Sequence, residues 1–587
     1  MIEARFDDLT PGGSSFRLIG PVGVLEARRL DEVADVIAAA EAATQRGLWA
    51  GGFVAYEAAP GLDPALEVRA RSAADPFADL PLSWFALFEG REDTQLPEPR
   101  DDGPSASGAG WRASVDRARY DAAIAEIHER IAAGDTYQVN HTLRLRSAVT
   151  GDERGLYRDL CFAQRGRYAA FLNAGRYRIC SASPELFFEL DGGRLTTRPM
   201  KGTAPRGRWP AEDEVVAQRL LASAKDRAEN AMIVDLLRND LGRVSRPGSV
   251  GWSEVFATER YETVWQLTST VGADLRPGAG LVDVFRALFP SGSVTGAPKV
   301  RSMQIIAGLE DSPRGVYCGT VGVLAPPGSG PEATFNVAIR TVTVDAETRL
   351  AEYGVGGGIT WDSRAVSEYE ETVAKARVLT DRRPRFELLE TILHEPGAGL
   401  RRLDEHLERL RASASYFGFA YDERAIRDAL AREAAATPDR PSRVRLLVDR
   451  TGRITTASMP LAPRPEPLRL EIDDVPVDPT DVLLFHKTTR RERYEAAKAR
   501  HPDADDVLLV NVREEVTEST IANIAADLGG RWVTPPLDAG LLPGTERAAL
   551  LAEGTIEEGV LRPEDLAAAG ELRLMNATGP WRRAVLA

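Results

Sequence analysis

Strand-like apolar runs alternate with amphipathic helical segments along the whole chain, and that alternation restricts it to a mixed α and β architecture. YAAFL, ELFFEL, TFNVAIRTVTV, RVRLLV and DDVLLV are short and rich in β-branched and aromatic residues, whereas VDRARYDAAIAEIHERIAAG and DEHLERLRASASYFG repeat apolar residues at helical spacing. At 587 residues and about 150 per domain, the chain holds roughly four units or two large ones, too much for a single small binding module. No internal repeat marks a solenoid.

Breaks in periodicity divide it. Arg91 to Gly110 (REDTQLPEPRDDGPSASGAG) collects Pro, Gly, Ser and acids, and reads as an exposed loop. The main boundary falls at Thr380 to Arg385, after a long helical pattern and before a new strand at Phe386 to His394. Pro460 to Pro467 (PLAPRPEP) would join two lobes of the last part. The expected layout is an N-terminal lobe over 1–110, a catalytic domain over 111–380, a linker over 381–385 and a last domain over 386–587.

Composition excludes several classes of function. Against 73 Lys and Arg stand 88 Asp and Glu, a net charge of −15, so there is no basic stripe to neutralise a nucleic-acid backbone. No run of ~18 apolar residues suits a membrane, and the acidic start lacks the apolar core of a signal peptide. The expectation is a soluble, cytoplasmic protein with neither nucleic-acid nor membrane partners. Cys161, Cys180 and Cys318 are too few and too scattered for a disulfide frame or a zinc ribbon.

Some acids occupy unusual positions. In Ala224 to Val244 (AKDRAENAMIVDLLRNDLGRV), Glu229 shares a stripe with Met232, Ile233 and Leu236 that should face the core. A desolvated carboxylate costs several kcal/mol unless it is protonated, paired or bound to metal. In Ser367 to Leu379, Glu368, Glu371 and Lys375 share a face with Val378. Three inward acids suit one Mg²⁺ completed by waters and an anionic substrate; the alternative is ordinary salt bridging, Glu371 to Lys375 being an i,i+4 pair. SGSVTGAPK (Ser291 to Lys299) and GVGGG (Gly354 to Gly358) read as backbone nests for an anion or as plain turns. Arg340, ending TFNVAIR, suits a bidentate carboxylate clamp.

Taken in order over about 380 residues, YQVN (Tyr137 to Asn140), SPE (Ser183 to Glu185), RPMKGTAPRG (Arg198 to Gly207), AENAMIVDLLRNDLGRV, SGSVTGAPK, GVYCGTVG and the Glu368/Glu371 helix resemble the chorismate-utilising enzymes. Lys201 in MKGT resembles the aminodeoxychorismate synthase component I branch, where the anthranilate- and isochorismate-forming relatives carry alanine. The resemblance implies a large β-sandwich and helix domain in which Lys201 attacks C2 of chorismate, Glu185 protonates the departing 4-hydroxyl, and ammonia enters at C4 and expels the lysine. It implies Mg²⁺ on Glu229, Glu368 and Glu371, and substrate contacts from Arg340, Tyr317, Lys375, Thr295, Gln266, Gly356, Gly357 and Gly358. A desolvated amine and a buried, protonated acid are chemically competent for these roles. Gln138 stands where the water-using isochorismate and salicylate synthases carry lysine, and glutamine cannot deprotonate water. Gln266 replaces a histidine of several relatives. GLWAGGFVAYEAAPGLDP also resembles component I, whose relatives hold a tryptophan-sized pocket in this lobe.

Residues 386–587 resemble the fold-type IV pyridoxal-phosphate enzymes, which include aminodeoxychorismate lyase and transaminases. The overall fold class is then α+β, a large first domain followed by a smaller two-lobed one. Lys487 in LLFHKTTRR ends an apolar strand-like run, where its amine suits a Schiff base or is simply a solvated edge. Thr545 in LLPGTERAALLAE reads as a helix N-cap, where free N–H groups favour a phosphate. The resemblance implies that Arg409 of the HxxRL pattern, the Thr545 and Glu546 amides and Asn576 hold the cofactor phosphate, that Glu518 pairs with the pyridinium nitrogen, and that Lys487 carries pyridoxal 5′-phosphate.

Consecutive chemistry would explain the fusion. A synthase first converts chorismate and ammonia to 4-amino-4-deoxychorismate, a transaminase-class step, and a lyase then removes an α-proton through Lys487 and releases pyruvate and 4-aminobenzoate. No GxCxG turn with a following His-x-Glu is present, so a separate glutamine amidotransferase subunit is expected to supply the ammonia. The alternatives are an anthranilate-type synthase fused to a branched-chain or D-amino-acid-like transaminase, and a non-catalytic scaffold that binds the glutaminase.

Overall fold

The computed structural model describes residues 2–97, 110–380, 385–436, 439–461 and 466–587. Packing separates two units, residues 1–206 with 216–383 and residues 207–215 with 384–587. Among the described residues, no helix is long and apolar enough to cross a membrane.

The first unit is one continuous antiparallel sheet folded into two arms. At its middle Glu3–Asp7 pairs with both Ser15–Ala27 and Tyr168–Ala174. One arm continues through Tyr177–Ser183, Thr341–Asp345 and Leu350–Ile359 to Gln138–Ala148. The other runs through Ser83–Thr94, Trp49–Val54, Thr320–Leu324, Ala333–Val337, Leu186–Asp191 and Arg194–Arg198 to Val264–Asp274. Because residues 3–94 supply central strands, they are knitted into this sheet rather than set apart from it. A Phe cluster fills the core: Phe188 lies 5.2 Å from Phe335 and 5.5 Å from Phe285, ring centre to ring centre, and each buried Phe contributes about 1.5–3 kcal/mol.

Two tight strand-to-strand corners carry the chain directly from one arm to the other. After Tyr177–Ser183 the chain turns at Pro184 and Glu185 into Leu186–Asp191. The second crossing corrects the sequence reading: TFNVAIRTVTV is two strands, Ala333–Val337 and Thr341–Asp345, rather than one. Arg340 sits in the break with a left-handed φ of 52°. A strand carried straight on would leave the sheet, so the corner turns it, and this side chain with it. The corners are tied together, Ala182 N–H donating to Arg340 O and Val337 N–H to Glu185 O, both at 3.0 Å.

Other local expectations shift. Arg91 to Thr94 extends the strand Ser83–Thr94, while residues 98–109 of the expected loop lie outside the described residues. The helix Ala224–Gly242 buries Asn230, Ile233, Val234, Leu237, Asp240 and Leu241, one residue on from the expected stripe; Glu229 and Met232 lie half-buried on its flank. GVGGG is no loop nest: it is extended strand inside Leu350–Ile359, in register with His141 to Leu143 and beyond.

The second unit has two sheets. The four-stranded one orders Gly399–Leu400, Leu388–Glu395, Ser442–Val448 and Ile454–Pro460; the eight-stranded one begins at Leu468–Ile472. They fall on either side of the Pro-rich stretch, of which residues 462–465 lie outside the described residues, as do residues 381–384 of the expected linker. The run before Lys487 is not a strand: Val482–Leu484 forms a short 3-10 turn capped by Asp481, whose carboxylate accepts the Leu483 N–H at 2.9 Å. The lysine is placed instead by its backbone, its carbonyl accepting the Leu389 N–H at 2.9 Å.

Candidate active sites

A cavity of about 280 Å³ opens in the first unit where the strand corners meet the helices Ala224–Gly242 and Ala365–Ala376. The Glu185 corner places a carboxyl on its wall. That side chain is 3% exposed, its Oε1 has no hydrogen-bond partner, and burial pushes its pKa up to about 7 against the weaker opposing pull of Ser293, the Met200 backbone and Lys201. Near neutral pH it is an acid with a proton to give.

Lys201 projects from Met200–Pro205, a strand that slips register against Val264–Asp274 between Met200 and Thr203. Gly202 makes the slip, with φ of 99° and Asp226 lying 3.0 Å from where a Cβ would stand. The Lys201 Nζ lies 3.3 Å from Glu229 Oε2 and 2.7 Å from the Cβ position of Gly358. Gly356 faces the His141 carbonyl at 2.1 Å from its own Cβ position. These glycines therefore supply missing side chains, and the amine occupies the room left at Gly358.

Around this pair the cavity is lined by Arg340, Tyr317, Lys375, Gln266, Gly356, Gly357 and Gly358. Arg340 donates to the Lys375 carbonyl, Lys375 Nζ donates to Gly356 O at 2.9 Å, and Gln266 Oε1 accepts from Thr203 Oγ1 at 3.2 Å. Thr295 is corrected. It is fully buried and does not line the cavity, because its hydroxyl is spent closing its own turn, donating to Ser291 O at 3.1 Å. Sequence reasoning missed Ser293, which lines the cavity and opposes the rise in the Glu185 pKa; its place in SGSVTGAPK was the signal. The buried Gln138 amide has no hydrogen-bond partner, and its Nε2 lies 2.4 Å from the Gly358 Cβ position.

Glu229, Glu368 and Glu371 all line this cavity, and hard carboxylate donors suit Mg²⁺ by type. They do not stand as one chelating group: among the described residues no three acids gather closely enough to hold an ion. Glu229 leans on Lys201, Glu371 lies 2.7 Å from Lys375 Nζ, and Glu368 accepts from Ser363 Oγ at 2.7 Å. Burial raises the pKa of Glu368 and Lys375 lowers that of Glu371.

The second unit encloses a larger cavity of about 520 Å³, lined by Lys487, Arg409, Glu518, Thr545 and Asn576. Burial, then nearby Arg409, lowers the Lys487 pKa to about 8, leaving an appreciable neutral fraction. Arg409 is held by buried Glu390 through Nε at 2.9 Å and Nη2 at 2.7 Å, and donates to Pro543 O at 3.0 Å. The same Glu390 takes His406 Nδ1 at 2.7 Å. Two basic groups hold its pKa well below the usual range despite burial. Sequence reasoning missed Glu390, which sits on a strand with no motif around it. Burial lifts Glu518 to about 7, while Tyr494 hydroxyl and Leu542 N–H donate to its carboxylate at 2.9 and 3.2 Å.

The phosphate turn needs one correction. Gly544, not Thr545, is the N-cap of Thr545–Ala552, since Gly544 is extended and Thr545 already helical; Thr545 Oγ1 is then free to face His406 Nε2 at 3.5 Å. The Glu546 carboxylate turns to Arg401 and Arg402 at 3.0 Å each, so the group expected at the phosphate is its backbone amide alone. Asn576 lines the wall, but its Oδ1 accepts from Thr578 N–H and hydroxyl. A buried amine with a lowered pKa, an anchored arginine, a helix start and a buried acid together fit pyridoxal 5′-phosphate.

A third cavity of about 180 Å³ in the first unit is lined by Phe6, Phe16, Trp49 and Arg91 among others.

The family profile of the chorismate binding enzymes matches residues 13–381. The chain belongs to that family. The profile of amino-transferase class IV matches residues 387–586. The chain is 43% identical over 265 residues to aminodeoxychorismate synthase component 1 of Klebsiella aerogenes, covering 45% of this chain and 58% of that one. It is 42% identical over 301 residues to aminodeoxychorismate synthase of Streptomyces griseus, covering 51% and 41%, and 39% identical over 269 residues to anthranilate synthase component 1 of Aquifex aeolicus, covering 46% and 53%. The chain thus spans about half the length of these curated relatives. Among solved structures, anthranilate synthase component I from Streptococcus pneumoniae superposes with a TM-score of 0.54 at 26% identity, covering 63% of this chain and 92% of the other.

Proposed function

We propose that the first unit converts chorismate and ammonia to 4-amino-4-deoxychorismate and that the second releases 4-aminobenzoate and pyruvate from it. The observation that carries this reading is the Glu185 carboxyl, its pKa raised to about 7, on the wall of the same cavity as the Lys201 amine. Lys201 Nζ bonds to C2 as the ring double bonds shift and the C4–OH bond breaks, and Glu185 gives its proton to the leaving hydroxyl. Ammonia then bonds to C4, the double bonds shift back, the lysine leaves C2 as the neutral amine, and the proton shed by the new C4 ammonium returns to Glu185. Arg340, Lys375 and Tyr317 would orient the substrate carboxylates. Glu229, Glu368 and Glu371 would hold Mg²⁺, whose charge would screen the ring carboxylate, only once Glu229 leaves Lys201 and Glu371 leaves Lys375 to gather into one chelating group.

In the second unit, bound pyridoxal 5′-phosphate would supply an electron sink. Lys487 would carry it and take the proton α to the amine, with Glu518 facing its ring nitrogen and Arg409 and the Thr545 end of the helix its phosphate. The cysteines are buried and none lines either cavity among the described residues, which supports a separate glutamine amidotransferase as the ammonia source. We assign both steps to the cytoplasm.

Because anthranilate synthase relatives match nearly as well, product identity is the test. Chorismate, ammonium and Mg²⁺ with the holoenzyme should yield 4-aminobenzoate by mass and chromatography; anthranilate would overturn the reading.

A further inference from the structure

We propose that the second cavity is shaped for a substrate bearing two carboxylates, both remote from its amine, and that Arg443 and Arg445 receive them. This rests on the lyase reading and deepens it, since ordinary amino acids carry a carboxylate on the amine-bearing carbon.

Two residues apart on Ser442–Val448, both arginines point to the same side of the sheet. That side faces the cavity, which also takes Leu389 and Thr391 from the neighbouring strand and Met459, the cross-strand partner of Arg443. Their charges differ in kind from others on the wall. Arg409 is neutralised by Glu390 at 2.7 Å, and Arg490 pairs with Glu492 at 2.9 Å. Arg491 is engaged by the Thr520 carbonyl at 2.6 Å and lies over the Tyr494 ring. Arg443 and Arg445 make no ion pair with any described residue, and Arg443 Nε is buried without a hydrogen-bond partner. A buried donor left unpaired is costly unless a ligand offsets it, and a guanidinium fork fits a carboxylate. Two residues along a strand set the guanidinium stems about 7 Å apart, which favours one carboxylate on each arginine over a single shared anion.

Calorimetric titration of the pyridoxal-phosphate-loaded full chain with benzene-1,3-dicarboxylate and with benzoate tests this directly. The dicarboxylate should bind at least about tenfold more tightly, as expected for one extra charge-assisted contact. Arg443→Gln and Arg445→Gln should each erase most of that preference, and Arg443→Lys should keep part of it. With 4-amino-4-deoxychorismate, both Gln variants should raise KM about tenfold and leave kcat nearly unchanged. Equal binding of the two probes by the unaltered protein, or an unchanged preference in Arg445→Gln, whose exposed side chain carries little packing, would overturn the proposal. A dicarboxylate preference that depends on the arginines, without 4-aminobenzoate formation, would support the recognition site and sink only the lyase reading.

Discussion

At the residue scale, the first reaction rests on two side chains in unusual surroundings. Lys201→Ala removes the nucleophile without touching the core, so 4-amino-4-deoxychorismate formation should vanish while the fold persists by circular dichroism; retained product would remove Lys201 from the mechanism. Glu185 contributes only while protonated. Burial lifts its pKa to about 7, so the acid form dominates below that pH and is lost above it. The rate of the first step relative to that of Glu185→Gln should therefore fall about tenfold per pH unit above about 7, because Lys201 is common to both proteins. Glu185→Gln, which keeps the shape but not the proton, should cost about 10²- to 10⁴-fold below pH 7. A ratio that stays level through pH 7 and 8 would contradict the acid role.

At the scale of elements, two strand corners and one glycine-bearing strand place what the sequence only names. Gly358→Ala tests that placement: its Cβ would stand 2.7 Å from Lys201 Nζ and 2.4 Å from Gln138 Nε2, so the amine must move. Because a misplacement of about 1 Å can cost about 10²-fold, the first reaction should drop at least about tenfold while the second keeps its rate; an unaffected first reaction would mean the amine acts from elsewhere. The strands themselves were legible, since YAAFL, ELFFEL, RVRLLV and DDVLLV all form where their pattern put them. The corner at Arg340 was not, because a run such as TFNVAIRTVTV carries the same alternation whether it continues or switches arms. Which atoms a polar side chain spends locally was equally hidden. Thr295 closes its own turn, and Glu546 pairs with Arg401 and Arg402, although both sit in motifs that point at ligands. Motif position fixes a backbone address, whereas hydrogen-bond competition decides where the side chain goes.

At the scale of the whole molecule, each cavity is lined by residues of one unit alone, and each is expected to need a different cofactor. Chelation of divalent ions should then stop chorismate consumption and leave release of 4-aminobenzoate from added 4-amino-4-deoxychorismate intact; equal loss of both would remove Glu229, Glu368 and Glu371 as the metal site. The same separation makes the two halves complementable. Lys201→Ala keeps a complete second cavity and Lys487→Ala a complete first one, so neither variant alone should form 4-aminobenzoate from chorismate. Mixed in solution, they should restore it through intermediate released by one chain and captured by the other. A lag before product appears, shortening as the Lys201→Ala chain is raised in excess, is the expected signature of that free intermediate. Failure of the mixture, with each variant still competent in its own half-reaction, would mean that the intermediate does not pass through solution and that fusion of the two units is itself required for turnover.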